Sequence, residues 1–373
     1  MSSPQRFLAL DVFRGLTICL MIIVNTPGDG SVTFAPLLHA KWHGFTPTDL
    51  VFPSFLFAVG NAMSFVMRKW EQKTTAQVLA KIFKRTLLIF LLGYLMYWFP
   101  FVNNDEGHWA LSPISNTRIL GVLQRIALCY CFASLLIYFL KTRTVVVISA
   151  GLLLLYWGLC FWFGDPFDPL SLQGNAGLKL DLWLMGESHL YHGEGVAFDP
   201  EGLLSTLPAI VNVVGGYLVG LHVQKNGKSY EGLAKLLLAG FTLVVIAYFW
   251  NFIFPINKKL WTSSFVLHTV GLDCMIIAAV IYITDIQQKT RWAGFFEVVG
   301  KNPLSIYLLS ELLVIVLYMV HVNPDTSLFA WIYQTIFSHA GAYWGSLLFA
   351  VCYMLLCWSV GYWMDKKKIY LRV

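Results

Sequence analysis

Ten apolar runs, each long enough to cross a bilayer, constrain this chain more than any other feature. A spanning helix needs about 20 mostly apolar residues. Runs of that kind fall near 8–26, 50–67, 84–101, 119–140, 144–163, 203–223, 233–254, 261–284, 303–321 and 343–363. Only 12% of the 373 residues are charged, and they bunch between the runs, whereas a soluble domain carries about a quarter. A soluble enzyme, a disordered regulator and a disulfide-stapled secreted module are excluded. The expectation is an all-α polytopic membrane protein of about ten transmembrane helices, one domain over residues 1–373. The shorter stretch 328–337 reads as interfacial or re-entrant. The first run carries Asp11 and Arg14 and no cleavage site follows it, so it is not a signal peptide. All seven cysteines lie in apolar runs without C-x-x-C spacing, which reads as packing rather than disulfides or zinc.

Basic residues orient the bundle. With the N-terminus inside, 19 of the 26 Lys and Arg fall in inner segments, among them Arg6, Lys228 and Arg372. Lys41, Arg118, Lys179, Lys258 and Lys259 are the outer exceptions, while 12 of the 20 acidic residues are outer. This predicts both termini in the cytoplasm. It also makes the net charge of +6 an orientation signal and not a nucleic-acid footprint. Two long outer loops, 27–49 and 164–202, hold four of the nine histidines and nine of the 20 acidic residues, and long connections carry function more often than short ones.

Ionisable groups at bilayer depth are costly and point to function by default. Asp11 and Arg14, three apart on one helix, share a face and can pair. Arg125, Asp273 and Glu311 lie deeper, and an Arg there needs a carboxylate or an anionic ligand. A polar interior suits a transporter as well as an enzyme. The Gly and Pro interruptions, however, do not recur at matched positions in the two halves, as transporter repeats would have them.

The densest polar constellation starts at Asn25-Thr26-Pro27-Gly28-Asp29-Gly30 and returns through His39-Ala40-Lys41-Trp42-His43-Gly44-Phe45-Thr46-Pro47-Thr48-Asp49. The Pro/Gly run turns the chain so that His39 comes back to the membrane surface beside the second span. A histidine there can titrate near neutrality and act as a general base. Asn25 is placed to orient its ring or to donate to an oxyanion, and Asp49 is a helix cap. The spacing matches no metal-ligand set.

These stretches resemble a known family. Phe13-Arg14-Gly15, Asn25, His39-Ala40-x-Trp42-x-Gly44-x-Thr46 and Asp49-Leu50-Val51-Phe52-Pro53 look like the opening of the heparan-alpha-glucosaminide N-acetyltransferase family and its bacterial relatives. Arg118-Ile119-x-Gly121-Val122-Leu123-Gln124-Arg125, His189-Leu190-Tyr191, Asp199-Pro200-Glu201-Gly202 and Asn257-Lys258-x-Leu260-Trp261 follow in order, with Gly300-x-Asn302 as a weaker echo. The resemblance implies transfer of an acetyl group from acetyl-CoA to the amine of a glucosamine-type sugar, with His39 and Asn25 as the catalytic pair. It further implies a bacterial cytoplasmic-membrane protein without the large domain that precedes helix one in the animal enzyme. No metal is expected, and a homodimer is.

Acetyl-CoA is cytoplasmic while His39 is on the outer side, so Arg14 and Arg125 are candidates to hold the coenzyme along a route through the bundle. Asp49, Trp42, Asp199 and Glu201 are candidates for binding the sugar; Trp42 is equally a belt tryptophan, and Asp199–Gly202 equally a cap of the sixth span. His39 serves either as the base of a direct transfer or as a nucleophile passing through acetyl-histidine. The competing readings are an amino-sugar permease and an O-acetyltransferase of cell-envelope sugars.

Overall fold

The computed structural model describes residues 7–70, 72–105, 108–227 and 229–371. Arg6, Lys228 and Arg372, counted in the charge asymmetry, lie outside the described residues. Thirteen α-helices carry the described chain: α1 Leu8–Asn25, α2 Pro47–Trp70, α3 Thr75–Trp98, α4 Val122–Phe139, α5 Thr142–Phe163, α6 Ala176–Met185, α7 Thr206–Asn226, α8 Tyr230–Trp250, α9 Ser263–Ile281, α10 Ala293–Lys301, α11 Pro303–Met319, α12 Leu328–Ile332 and α13 Ala342–Lys366. Two antiparallel hairpins interrupt them, β1 Val102–Asp105 with β2 His108–Leu111, and β3 His321–Asn323 with β4 Thr326–Ser327.

Eight helices (α1, α2, α4, α5, α7, α8, α9 and α13) are long and apolar enough to cross a membrane. The pair α10–α11 makes a ninth if its 82° bend lies within one span. Among the described residues that makes eight or nine candidate spans where ten were expected; the run near 84–101 corresponds to α3, which starts well before residue 84 and is not among them. Its capping box joins Thr74 and Gln77, and Lys81, Lys84 and Arg85 lie inside the helix. Hydropathy penalises those charges, but helix formation does not, and long basic side chains reach the interface from such positions. The stretch 328–337, expected to be interfacial or re-entrant, is a helical turn running into a π-turn. Six of the seven cysteines are buried free thiols, with Cys352 exposed.

The helices α1, α2, α4, α7 and α9 bury more than half of their apolar windows inside the protein, whereas α5 and α8 bury little more than a quarter. The first group is therefore central and the second peripheral. Lipid tails are as apolar as leucine, so helices associate here through close van der Waals packing of small residues. The most extensive contact, α2 on α7, sets Gly60-x-x-x-Ser64 against Gly216-x-x-x-Gly220. A Cβ at Gly60 would overlap the Val213 carbonyl, and one at Gly216 would overlap that of Phe57. The α1–α10 contact is made in the same way, with Gly15 against Phe296 and Gly300 against the Asp11 carbonyl. Beside Gly300, Asn302 staples the C-terminal tail by donating to Ile369 O at 2.9 Å and accepting from Leu371 N at 3.1 Å.

This packing predicts an asymmetry among glycines. Gly216→Val should lower the thermal midpoint in detergent by at least the equivalent of the about 1–3 kcal/mol typical of overpacking. Gly158→Ala, where a Cβ meets open space, should leave the midpoint unchanged or raise it slightly.

Candidate active site

The chain leaving α1 is pinned to α13: Gly28 N donates to Ser346 O at 3.2 Å, and Asp29 N donates to Ser346 Oγ at 3.1 Å. It is then drawn back to the start of α2. Thr46 Oγ1 donates to Leu38 O at 2.7 Å and Thr48 Oγ1 to Pro36 O at 3.0 Å. Asp49, fully buried in the first turn of α2, closes this loop. One of its oxygens accepts Ala40 N (3.1 Å), Thr46 N (3.0 Å) and Thr46 Oγ1 (3.1 Å). The other meets His39 Nδ1 at 2.7 Å. A carboxylate only accepts, so Nδ1 carries the proton and the Nε2 lone pair points away. The His39 side chain keeps 41% of its surface exposed, which leaves that nitrogen open to a substrate. Asp49 is thus both the cap that the sequence suggested and the group that orients His39.

Opposite the imidazole stands Lys258, from the segment between α8 and α9. Its Nζ lies 3.0 Å from His39 Nε2 and 3.2 Å from Nδ1. Asn257 shapes this segment by accepting Leu260 N at 2.8 Å while its amide meets His43 Nδ1 at 3.3 Å. Gly44 N donates to Ile256 O at 2.8 Å. Burial holds the Lys258 ammonium below the usual lysine range, against the pull of Glu201 and Asp49. Next to it, Lys259 pairs with Glu194, donates to Lys41 O at 3.0 Å and lies over the Trp42 ring. Trp42 Nε1 donates to Leu170 O at 2.9 Å, so three loops meet at this tryptophan.

A second knot adjoins the first. Arg118 Nε donates to Asp199 Oδ2 at 2.9 Å, and Nη2 donates to Asp199 Oδ1 and to Glu201 Oε2, both at 2.6 Å. Its guanidinium is stacked against Tyr97 and Tyr191 at 4.9 and 4.8 Å. His189 Nδ1 donates to Thr117 O at 2.7 Å, which brings the 117–125, 189–191 and 199–202 stretches to one place. Arg125, also fully buried, holds the same turn from below. Its Nη2 donates to Gly202 O at 2.8 Å and to Ser205 Oγ, and its guanidinium lies 5.0 Å from the Trp261 ring centre. Its Nε and Nη1 are buried without a hydrogen-bond partner. On the other side Asp181 accepts Leu203 N at 3.0 Å. Burial first, with Asp199 adding repulsion, pushes the Asp181 carboxyl up to about 7.

Asn25 ends α1 and donates to Glu311 Oε1 on α11 at 3.3 Å, not to His39. Tyr97 faces both Glu311 and the Arg118 knot, so Asn25 borders the same polar patch. Arg14 is ion-paired with Asp11. It lies eleven residues back along α1 from Asn25, about 16 Å at the helical rise. The two arginines assigned to the coenzyme have separate partners, Asp11 for Arg14 and the 202–205 turn for Arg125.

Lys258 and Arg118 were quoted in motifs but given no role from sequence. Their signal was the charge asymmetry: both are basic residues on the face that the asymmetry leaves poor in them, and both are engaged with acids or His39. Arg118→Ala leaves Asp199 and Glu201 buried without their cation, and breaking such a pair costs about 3–5 kcal/mol. Arg118→Lys, lacking the bidentate fork, should recover only part of the lost thermal midpoint. Asp181 gives a pH prediction. Its folded pKa of about 7 exceeds the ordinary 3.8, so the folded state keeps a proton that the unfolded state releases. Its contribution is most favourable below about pH 4 and is lost as the pH rises toward 7. Asp181→Asn keeps the acceptor for Leu203 N and should flatten the fall in thermal midpoint between about pH 5 and about pH 8.

Comparison with known proteins bears on this geometry. Residues 6–167 match the family model described as heparan-alpha-glucosaminide N-acetyltransferase, catalytic. The chain is 27% identical to the heparan-alpha-glucosaminide N-acetyltransferase of Mus musculus, over 84% of this chain and 54% of the relative. It is 28% identical to that of Homo sapiens, over 82% of this chain and 52% of the relative. The chain spans about half the length of the curated relatives it matches. The matched segment contains His39, Asp49, Arg118 and Arg125, and the similarity to the mammalian proteins continues over most of the chain. Residues 6–167 are thus similar to the heparan-alpha-glucosaminide N-acetyltransferase catalytic family, and most of the chain resembles two mammalian members at 27–28% identity.

Proposed function

We propose that the chain is a membrane-embedded acetyltransferase that moves an acetyl group from acetyl-CoA to the amine of a glucosamine-type sugar, with His39 as the base. The observation that carries this reading is the His39–Asp49 pair: Nδ1 is held at 2.7 Å and Nε2 is left facing a half-exposed rim. The sugar amine, an ammonium ion near neutrality, attacks as the free amine after giving one proton to water. Nε2 takes the proton from the attacking nitrogen, the new C–N bond forms at the thioester carbon, and the C–S electron pair leaves with the coenzyme sulfur. Asp49 steadies the imidazolium that results. The same nitrogen would be the nucleophile of an acetyl-histidine route, and trapping an acetylated ring by rapid quench separates the two.

In this proposal Asn25, anchored on Glu311, donates to the developing oxyanion. Trp42, Asp199 and Glu201 line the acceptor side, with Asp199 acting through Arg118. The unpartnered Nε and Nη1 of Arg125 donate to an oxygen of the acetyl donor, and Arg14 marks the other end of its route. The basic asymmetry supports cytoplasmic termini, with His39 on the periplasmic face of a bacterial inner membrane.

The test is acetyl-CoA consumption by the purified protein in detergent with glucosamine, following CoA release and the mass of the sugar. His39→Ala should lower turnover by about 10²–10⁴-fold while the protein stays folded. Asp49→Asn should lower it at every pH, because the amide no longer enforces the Nδ1–H tautomer. A folded wild-type protein that releases no CoA with any of several amino sugars overturns the proposal in favour of a permease.

A further inference from the structure

An ammonium group already stands beside His39, within the electrostatic pull of Asp49 and Glu201. Lys258 Nζ stands 3.0 Å from His39 Nε2, with the Asp49 and Glu201 carboxylates facing it and Lys259 and Glu194 next in range. Under the acetyl-transfer reading, on which this inference rests, an acceptor amine must reach that same nitrogen. A primary amine at hydrogen-bond distance from the base meets the geometric requirement for being deprotonated by it.

We propose that Lys258 occupies the acceptor-amine subsite and is itself acetylated from acetyl-CoA when no sugar amine displaces it. The free Nζ lone pair attacks the thioester carbon and the N–C bond forms. The C–S bond breaks, with its electron pair going to the coenzyme as thiolate, and the Nζ proton passes to His39 Nε2. Burial, by holding the ammonium below the usual lysine range, raises the share of free amine available for the step. The product is an amide, which does not return its acetyl group at the rate of a thioester. The modified side chain also carries no charge and remains beside Nε2, so acetylation closes the subsite. The enzyme would thus be protected by its acceptor and silenced by donor alone.

Other amines are built differently. Lys259 is paired with Glu194, and Lys301 is held by Glu297 and Asp365. Neither has an imidazole beside it.

The experiment incubates the full-length protein in detergent with acetyl-CoA alone, maps acetyl-lysine by peptide mass spectrometry, and assays glucosamine acetylation on the same preparation. Acetylation should concentrate on Lys258 and fall by about 10²-fold in His39→Ala. Saturating glucosamine should suppress it. Loss of sugar acetylation should track the modified fraction in the wild type, and Lys258→Arg, whose guanidinium stays protonated, should show no donor-dependent loss of whatever activity it begins with. Lys258 left unmodified in a preparation that acetylates glucosamine overturns the inference and leaves the acetyltransferase reading standing. Labelling that persists in His39→Ala, or spreads evenly over exposed lysines such as Lys179 and Lys225, is solution chemistry and overturns it as well. Absence of both labelling and sugar acetylation removes the acetyltransferase reading and this inference together.

Discussion

The Asp49 carboxylate, removed from water in the first turn of α2, accepts from the backbone of Ala40 and Thr46, from the Thr46 hydroxyl and from the His39 ring. A buried carboxylate is tolerated only when its lone pairs are filled. That demand makes the loop from α1 return where it does. It starts α2, closes the turn at residues 40–46 and selects the ring nitrogen that keeps a lone pair. One electrostatic requirement therefore sets a helix boundary, a loop path and the tautomer of His39.

The same cost governs the rest of the polar residues at this end of the bundle. Arg118 is wedged between two tyrosine rings and two carboxylates, and Arg125 and Asp181 hold the turn carrying those carboxylates through its backbone. The result is a rigid floor made of charges that neutralise one another. Lys258 stands against this floor, 3.0 Å from His39 Nε2 and within the pull of Asp49 and Glu201. The close glycine-lined contact of α2 with α7 holds α2, and hence Asp49, at a fixed position relative to the turn that precedes α7.

Much of this was legible in the sequence because it is local. The return of His39 to the start of α2 follows from the Pro/Gly turn between two apolar runs, but its partner does not: the sequence offered Asn25 to orient the ring, and the structure gives that place to Asp49. Asp11 and Arg14 pair because helical spacing leaves them little choice. The long-range partners were not legible. Arg118 meets acids 81 and 83 residues away, Lys258 meets a histidine 219 residues away, and Asn25 turns to Glu311 across 286 residues. Periodicity carries no information about which helices lie side by side. The beginning of α3 was misjudged for a related reason: a hydropathy window ends at a charge, whereas a helix continues through it.

The sequence alone determined that the chain lives in a bilayer, that its charges gather between the spans, and that the loop holding His39 is densely polar. Burial of apolar runs and local turn chemistry are enough for those conclusions, because both act within about 20 residues. Only the tertiary structure decided which carboxylates are neutralised by arginine, which nitrogen of His39 is free, and which amine waits beside it. Those are properties of groups forced together by helix packing, where the cost of an unpaired charge is settled between residues far apart in the chain.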